Sequence, residues 1–503
     1  MSLDDCIDAL EQKTKFKARA FKFWRDAIIS KVKSKIKKLK KKTKVHDTKP
    51  ILKDPEVLAY LETLQKRFVI VTIDKASKNF ALVCKKFYVS RLLKEISGNN
   101  TYLPSDLDLN SILENSENLC KSFGLSLSDK MKTLPIMYWI PKMHKNPIGC
   151  RFIIASNSCS TKPLSRAVSM VFKVLYKHVE QFHHKSRFFS SFNKFWVVQN
   201  SSPVIGHLNR INAKKKAKRI STFDFATLYT TLPHDLLIEI LTKIINFVFD
   251  SGCRNKLGFS NTSAYWTTKG KENRFFTSTS LSECVSFLIR NCFFKVGNSI
   301  LKQCIGIPMG IDPAPFWANL FLYHFESEYV KGLISASSPS AYNFHSVGRF
   351  IDDLVALNDR DEFHNCYKQI YPKELDLKVE HHGSHASFLD LDITVENNIF
   401  RYKLFDKRDA FPFFIVRMPH ADSNIPSCIF YGSIFSEILR IARSTLLFDD
   451  LIPRINELFS RMRNQGASDT FLKKQVVKCF IRFPDCFIKY GKTTEEFLSI
   501  FEL

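Results

Sequence analysis

The chain has 503 residues, enough to bury more than one hydrophobic core, and 45% of them are apolar. Its 75 Lys and Arg against 49 Asp and Glu leave a formal charge of +26, which argues against a small neutral substrate and for a polyanion, nucleic acid foremost. No stretch approaches the about 20 uninterrupted apolar residues of a spanning helix, and the 13 cysteines occur singly with no leader at Met1-Ser2-Leu3-Asp4-Asp5, so a soluble, intracellular protein with reduced thiols and no membrane partner is expected.

Taken in chain order, Phe16, Ala20, Phe21, Trp24 and Ile28 recur at helical spacing and lead into the lysine-rich run Lys31–Lys44. That run reads equally as a solvated face or flexible arm and as a nucleic-acid or nuclear-import segment; Pro50 marks its end. A helix follows on Val57, Leu58, Leu61 and Leu64, with Asp54 as cap and Pro55 at its first position. Phe68–Ile73 and Phe80–Val83 are strands around the turn Asp74-Lys75-Ala76-Ser77-Lys78-Asn79. After a break at Gly98-Asn99-Asn100, a second basic hairpin runs from Met137 through Lys142 and Lys145 to Arg151-Phe152-Ile153-Ile154.

The central third carries the chemistry. Thr222-Phe223-Asp224-Phe225 is a short apolar strand with a carboxylate near its end. Pro233 opens an amphipathic helix on Leu236, Leu237, Ile240, Leu241, Ile244 and Ile245. Gly306-Ile307-Pro308-Met309-Gly310 is a glycine-punctuated turn before a helix whose start Pro313 and Pro315 should delay. Arg349–Ala356 places Asp352-Asp353 on an acidic turn between two strands. His381-His382-Gly383-Ser384-His385 lacks a second ligand group at zinc spacing and reads as a solvated hairpin loop. Ile434, Phe435, Ile438, Leu439, Ile441, Ala442 and Leu446 form a helical stripe, and a basic helical tail follows to Leu503. A second acidic pair, Asp449-Asp450, adjoins that stripe and reads as a solvated helix end or cap.

An exposed aspartate at a strand end has no packing value, but it can hold a divalent cation. Phosphoryl transfer to a hydroxyl is limited by placing charge and aligning attacker with leaving group, a task suited to two divalent ions roughly 3.5 to 4 Å apart. Mg²⁺ prefers a few hard carboxylate oxygens and keeps water and phosphate ligands. Asp224 and Asp352 are the candidate ligands, with Asp353 auxiliary. Lys75, Lys142, Lys145 and Arg151 are cations available to a triphosphate, or to a phosphate backbone.

Asp, then a Gly-rich turn, then Asp-Asp is the order of palm motifs A, B and C in nucleic-acid polymerases. The chain resembles a reverse transcriptase, and more narrowly the polymerase of Penelope-like retroelements. The resemblance runs roughly from Phe68 to Phe480 and takes in Ile140-Pro141-Lys142-Met143-His144-Lys145, Phe388-Leu389-Asp390-Leu391-Asp392-Ile393 and Asn424–Gly432. It implies an α+β right hand: a basic arm over 1–50, N-terminal region and fingers over 51–218, palm over 219–393, and a thumb with helical tail over 394–503. It also implies an RNA-directed DNA polymerase that extends a DNA primer on an RNA template with deoxynucleoside triphosphates and two Mg²⁺, Mn²⁺ being a substitute; with the lysine run as a nuclear-import segment, a nuclear location is expected.

By the same resemblance Tyr229 is the aromatic residue that excludes a 2′-hydroxyl, and Gln303, Gly306 and Gly310 belong to the turn that meets the incoming nucleotide. Arg151 is the fingers arginine, with Lys142 a second triphosphate cation; Lys378 sits in the motif D neighbourhood, where it could protonate pyrophosphate. Phe350 departs from the usual motif C tyrosine, and the GIY-YIG endonuclease that many members carry is not matched, Lys489-Tyr490-Gly491-Lys492 being too short. An RNA-dependent RNA polymerase would share the palm, but Tyr229 argues against it. The alternative of another class is a catalytically idle, nucleic-acid-binding relic of a retroelement.

Overall fold

Lysine favours helix nearly as well as leucine, and the basic run does not end the first helix: α1 spans Ala18–Lys42 and passes through it. The computed structural model describes residues 18–42, 54–98, 101–190, 192–226, 228–252, 255–268, 274–307, 310–358, 362–423 and 425–501. The run's end at Thr43 and Lys44, Pro50, the middle of the glycine turn at Pro308 and Met309, and Asn424 lie outside them. Two compact units form, residues 1–69 and 70–503. In the first, α2 (Pro55–Arg67) starts as its sequence dictates, with Asp54 accepting the Glu56 N–H at 2.9 Å and proline in the first turn.

Two hairpins follow, the first strand of which contains the boundary between the units. β1 (Phe68–Ile73) and β2 (Ala76–Cys84) turn at Lys75, whose φ is 63°, and lead into α3 (Lys85–Ile96). β3 (Tyr102–Pro104) and α4 (Leu109–Ser122) precede the second hairpin, β4 (Ile136–Lys142) with β5 (Gly149–Ala155), in register from Ile136 opposite Ala155 to Lys142 opposite Gly149. The helices α5 (Lys162–Ser190) and α6 (Ser202–Asn212) then lead to β6 (Ile220–Phe225), α7 (Leu228–Thr231) and α8 (His234–Ser251). A small sheet of β7 (Leu257–Phe259), β8 (Ala264–Trp266) and β9 (Phe275–Phe276) precedes α9 (Ser278–Arg290).

A third hairpin, β10 (Phe293–Val296) with β11 (Ser299–Gln303), joins β3, β4 and β5 in a five-stranded sheet of order β3-β11-β10-β4-β5. Beyond α10 (Ala314–Ser335) come β12 (Val347–Phe350), β13 (Asp353–Leu357), α11 (Glu362–Ile370) and β14 (Leu377–Gly383). These complete a four-stranded sheet of order β12-β13-β6-β14. Its helical backing is apolar: Leu237, Leu241 and Ile245 of α8, Leu281 and Val285 of α9, and Trp317 and Phe321 of α10 share one core with Phe223, Phe225 and Leu354. Pro313 caps α10 and Pro315 falls in its first turn, where a missing N–H costs nothing, so the helix begins between the two prolines.

A meander of β15 (His385–Phe388), β16 (Leu391–Glu396) and β17 (Ile399–Leu404) leads to the C-terminal helices α12 (Ser427–Ser444), α13 (Phe448–Asn464), α14 (Asp469–Arg482) and α15 (Thr494–Ile500). They enclose a separate core in which Ile434, Ile438, Leu439 and Ala442 meet Leu451, Ile455, Val476 and Phe497. Leu446 falls beyond the end of α12, its N–H on the Tyr402 carbonyl at 2.8 Å. Asp449 and Asp450 stand in the first turn of α13, where carboxylates suit the helix dipole. The histidine cluster is not a loop: His381 and His382 lie in β14 and His385 opens β15. Each strand gives its histidine a partner, the Ser221 hydroxyl at 2.9 Å for His382 and Asp392 at 2.6 Å for His385.

His183 on α5 is buried against the Tyr323 hydroxyl at 2.5 Å, and burial first, then the nearby Lys194 and Lys331, lowers its pKa to about 4. The unfolded chain takes up this proton near pH 6.5, the folded one only near 4. Stability is therefore lost as pH falls through that window, by up to about 3 kcal/mol. A His183→Phe protein should lose this slope in urea unfolding followed from pH 7 to 4; an unchanged slope would place the acid sensitivity elsewhere.

Candidate active site

The four-stranded sheet presents its carboxylates from three adjoining places. In β6, Phe223 and Phe225 face the core, where their rings meet Phe363 and Tyr371 edge-on at 4.8 and 4.9 Å, so the alternation of a strand turns Asp224 the other way. Asp353, first residue of β13, lies directly opposite Asp224 in the ladder. Asp352 occupies the turn between β12 and β13, and its carbonyl accepts the Phe225 N–H at 3.2 Å. All three line one cleft of about 630 Å³ together with Asp74, Lys75, Lys142, His144, Lys145, Arg151, Phe350, Glu380, Asp390 and Lys407.

Both signs of charge meet in this cleft, and burial disfavours each, with like charges adding to it. Burial, then Asp352 and Glu380, raises the Asp224 carboxyl above its usual range. Asp353 is pushed up to about 6, chiefly by burial, with Lys407 opposing and the neighbouring carboxylates adding. On the other side, burial and then Lys407 lower the Lys75 ammonium, while burial and then Arg151 lower that of Lys142. Crowded carboxylates are relieved by a cation and crowded ammonium groups by an anion. Among the described residues no three His, Cys, Asp or Glu side chains form a metal cage. The donor set suits a hard cation that completes its shell with water and phosphate oxygens.

The two hairpins are fastened at their cationic ends. Arg151 donates to the buried carboxylate of Asp74 at 2.9 Å, and the Asp74 N–H bonds the Pro141 carbonyl at 3.0 Å. The segment after β17 closes a further side. Asn79 at the first hairpin accepts the Val416 N–H at 2.8 Å, and Phe411 and Ile415 share a small core with Ile73 and Ala76. Burial would raise the Asp406 carboxyl, but hydrogen bonds and charge from Arg408, with Arg440, hold it well below the usual range. That anchor sets the adjacent Lys407 at the cleft.

A second stretch of the groove, about 680 Å³, contains Tyr229 with Lys142, Arg151, Phe152, Gly310 and Asp352. Burial and the Asp352 charge push the Tyr229 phenol up to about 12, so it is neutral at ordinary pH. Beyond Thr230 the groove continues into a space of about 780 Å³ bordered by Arg91, Lys94, Phe152 and Ile305.

The glycine turn is held by backbone contact. Gly306 and Gly310 have φ of +93° and +98°, and a Cβ on either would overlap a carbonyl oxygen, that of Tyr229 or of Ile154. Glycine is therefore required to seat the turn against α7 and β5. Gln303 behaves otherwise than expected. It is fully buried, donates to the Ile305 carbonyl at 2.9 Å and borders a small internal cavity with Ile112, Leu134 and Phe293. It supports the turn from behind and does not line the groove. Lys378 lies opposite Asp224 on β14, but its Nζ pairs with Asp376 at 3.4 Å and the cleft lining does not include it.

Asp74, Glu380, Asp390 and Lys407 are cleft residues that the motifs alone did not single out. For Glu380 a cue existed, since it shares β14 with Lys378. For Lys407 none did, because its place depends on how the segment docks onto the first hairpin.

No protein-family model matches the sequence, and no curated protein sequence matches it. Among solved structures, the chain is similar to telomerase from Candida albicans in complex with a TWJ fragment of telomeric RNA, at 11% identity and a TM-score of 0.52, over 88% of this chain and 67% of that one. Apo telomerase from Candida tropicalis aligns at 11% identity and a TM-score of 0.47 over 91% and 74% of the two chains. The RNA-dependent RNA polymerase of BmCPV in its quiescent state aligns at 11% and 0.38 over 82% and 33%. The first of these shows the fold: a mixed α and β right-hand fold of the kind polymerases have, with fingers, palm and helical thumb.

Proposed function

We propose that the chain is an RNA-directed DNA polymerase of a Penelope-like retroelement, with fingers over 51–218, palm over 219–393 and thumb over 394–503. One observation carries the reading: Asp224, Asp352 and Asp353 line one cleft with Lys75, Lys142, Lys145, Arg151 and Lys407, and Tyr229 lines the adjoining stretch of the groove. Asp224 and Asp352, with Asp353 auxiliary, would hold two divalent cations, Mg²⁺ or Mn²⁺, which supply acidification of the primer 3′-hydroxyl and neutralisation of the triphosphate. Arg151 and Lys142 bind the triphosphate from the fingers, with Lys75 and Lys407 adding charge. Tyr229 stands under the sugar. The glycine turn fixes the floor beside it, and the template strand leads past Arg91 and Lys94. The basic run Lys31–Lys44 would add phosphate contacts of its own.

Extension of a DNA primer on an RNA template, dependent on Mg²⁺ and deoxynucleotides, tests this directly. A protein that binds the primer-template but extends nothing would be the idle relic; equal use of ribonucleotides would point to RNA synthesis.

The sugar filter has its own test. Tyr229→Ala opens the groove where the 2′-carbon would lie, and ribonucleotide discrimination should fall by about 10- to 200-fold, the range that one filled pocket position supplies. Single-nucleotide incorporation with matched deoxy and ribo substrates measures it; unchanged discrimination would remove the steric role.

A further inference from the structure

Arg349 is fully buried on β12, just ahead of the turn that carries Asp352. All five of its N–H donors are used. Nε bonds Oε1 of Glu326, itself fully buried on α10. Nη2 donates to Glu326 Oε2 and to the Asn319 carbonyl, both at 3.1 Å. Nη1 donates to Asn319 Oδ1 and to the Ile351 carbonyl, both at 2.9 Å. The Tyr371 hydroxyl completes the cage by donating to Glu326 Oε1 at 3.0 Å.

A buried ion pair is weak evidence of stabilisation, because desolvation consumes most of its Coulomb energy and an apolar set of similar volume serves as well. What the pair holds is more telling. Ile351, a β-branched residue, has a φ of 55°, a left-handed conformation that such a residue adopts only when its surroundings enforce it. Its carbonyl is the one bonded by Nη1, and the peptide it belongs to leads directly into Asp352. Asn319 and Glu326 sit on α10, the helix that follows the glycine turn.

We propose that Arg349 is the positioning residue of the catalytic turn: clamped by Glu326 and Asn319, it fixes the Ile351–Asp352 peptide and so sets the Asp352 carboxylate relative to Asp224. The proposal rests on the polymerase reading and adds that the glycine turn and the metal-binding carboxylates are joined through one helix by one guanidinium.

The test uses the full chain, with Mn²⁺ binding read by electron paramagnetic resonance without nucleic acid and Mg²⁺-dependent extension read separately. Arg349→Lys keeps the charge but loses the fork, and should weaken Mn²⁺ binding and raise the half-saturating Mg²⁺ by about 10- to 100-fold, the usual effect of losing a group that orients a metal ligand. Primer-template affinity should stay within about twofold, since phosphate contacts lie elsewhere. Asn319→Ala removes one acceptor without stranding a charge and decides the matter if Arg349→Lys does not fold. Asn319→Asp keeps the acceptor oxygen and should restore the metal requirement. Folded variants with unchanged Mn²⁺ affinity and unchanged Mg²⁺ dependence would overturn the proposal. Wild-type protein that binds Mn²⁺ through Asp224 and Asp352 yet extends no primer would instead sink the polymerase reading and leave the clamp intact.

Discussion

Asp224→Asn and Asp352→Asn proteins will lose primer extension by on the order of 10³-fold or more, while their affinity for primer-template stays within about twofold. Asparagine keeps the volume and one oxygen, so packing of β6 and of the β12–β13 turn is preserved; what goes is the charge that a cation needs. Binding survives because it comes from phosphate neutralisation spread over a chain with a formal charge of +26. A second consequence runs the opposite way. Without metal, burial first and then the neighbouring carboxylates disfavour the charged forms of Asp224 and Asp353, so either Asn variant should melt no lower than wild type. Asp449→Asn and Asp450→Asn, in the first turn of α13, should extend normally. Gel-resolved extension, filter binding and thermal melting on the same preparations check all three points. Substantial extension by either Asn variant would remove the assignment of Asp224 and Asp352 as metal ligands.

The acidic residues were legible because their setting was local. A short apolar run on each side of Asp352-Asp353 demands two strands and a turn, whereas Asp449-Asp450 adjoins a helical stripe, and the two pairs do fall in a hairpin and in a helix terminus. What failed to show depended on distant parts of the chain. Lys295 pairs with Ile136 to join two hairpins into one sheet, and neither sequence carries a mark of the other. Gln303 reads the same whether it faces a nucleotide or the core; the side it takes is set by the β10–β11 hairpin, whose Cys292 carbonyl accepts the Gln303 N–H at 2.9 Å. The histidines looked like a loop because Gly383 and Ser384 interrupt them, yet β14 extends through Gly383 alongside β6. Arg349 was hidden for a plainer reason: a lone arginine beside a strand reads as exposed. A partial cue lay in α10, where Glu326 follows the largely apolar stretch Phe316–Phe325, but Glu328 two residues on is exposed, so only the fold shows that Glu326 is the one buried against a cation.

Gly306→Ala should cost about 2 to 5 kcal/mol, which combines roughly 1 to 2 for a left-handed conformation with roughly 1 to 3 for overpacking. The position leaves little room to escape. Its φ is +93°, and the new methyl would meet the Tyr229 carbonyl and the Thr230 Cα, which are backbone atoms and not the far end of a flexible side chain. Gly306 is also fixed on both sides: its N–H bonds the Leu232 carbonyl at 2.7 Å, and its own carbonyl meets His234 Nε2 at 2.9 Å. For a protein stable by about 5 to 15 kcal/mol such a loss is a large share, and urea unfolding will read it directly. In molecules that remain folded, α7 has to shift, so Tyr229 moves and ribonucleotide discrimination changes with it. Gly332→Ala is the internal control. That glycine is exposed on α10 with nothing near its Cβ position, so alanine should leave stability unchanged or raise it by up to about 1 kcal/mol. A Gly306→Ala protein as stable as the Gly332→Ala protein would mean that the glycine turn yields to the methyl, and that Tyr229 is not braced by it.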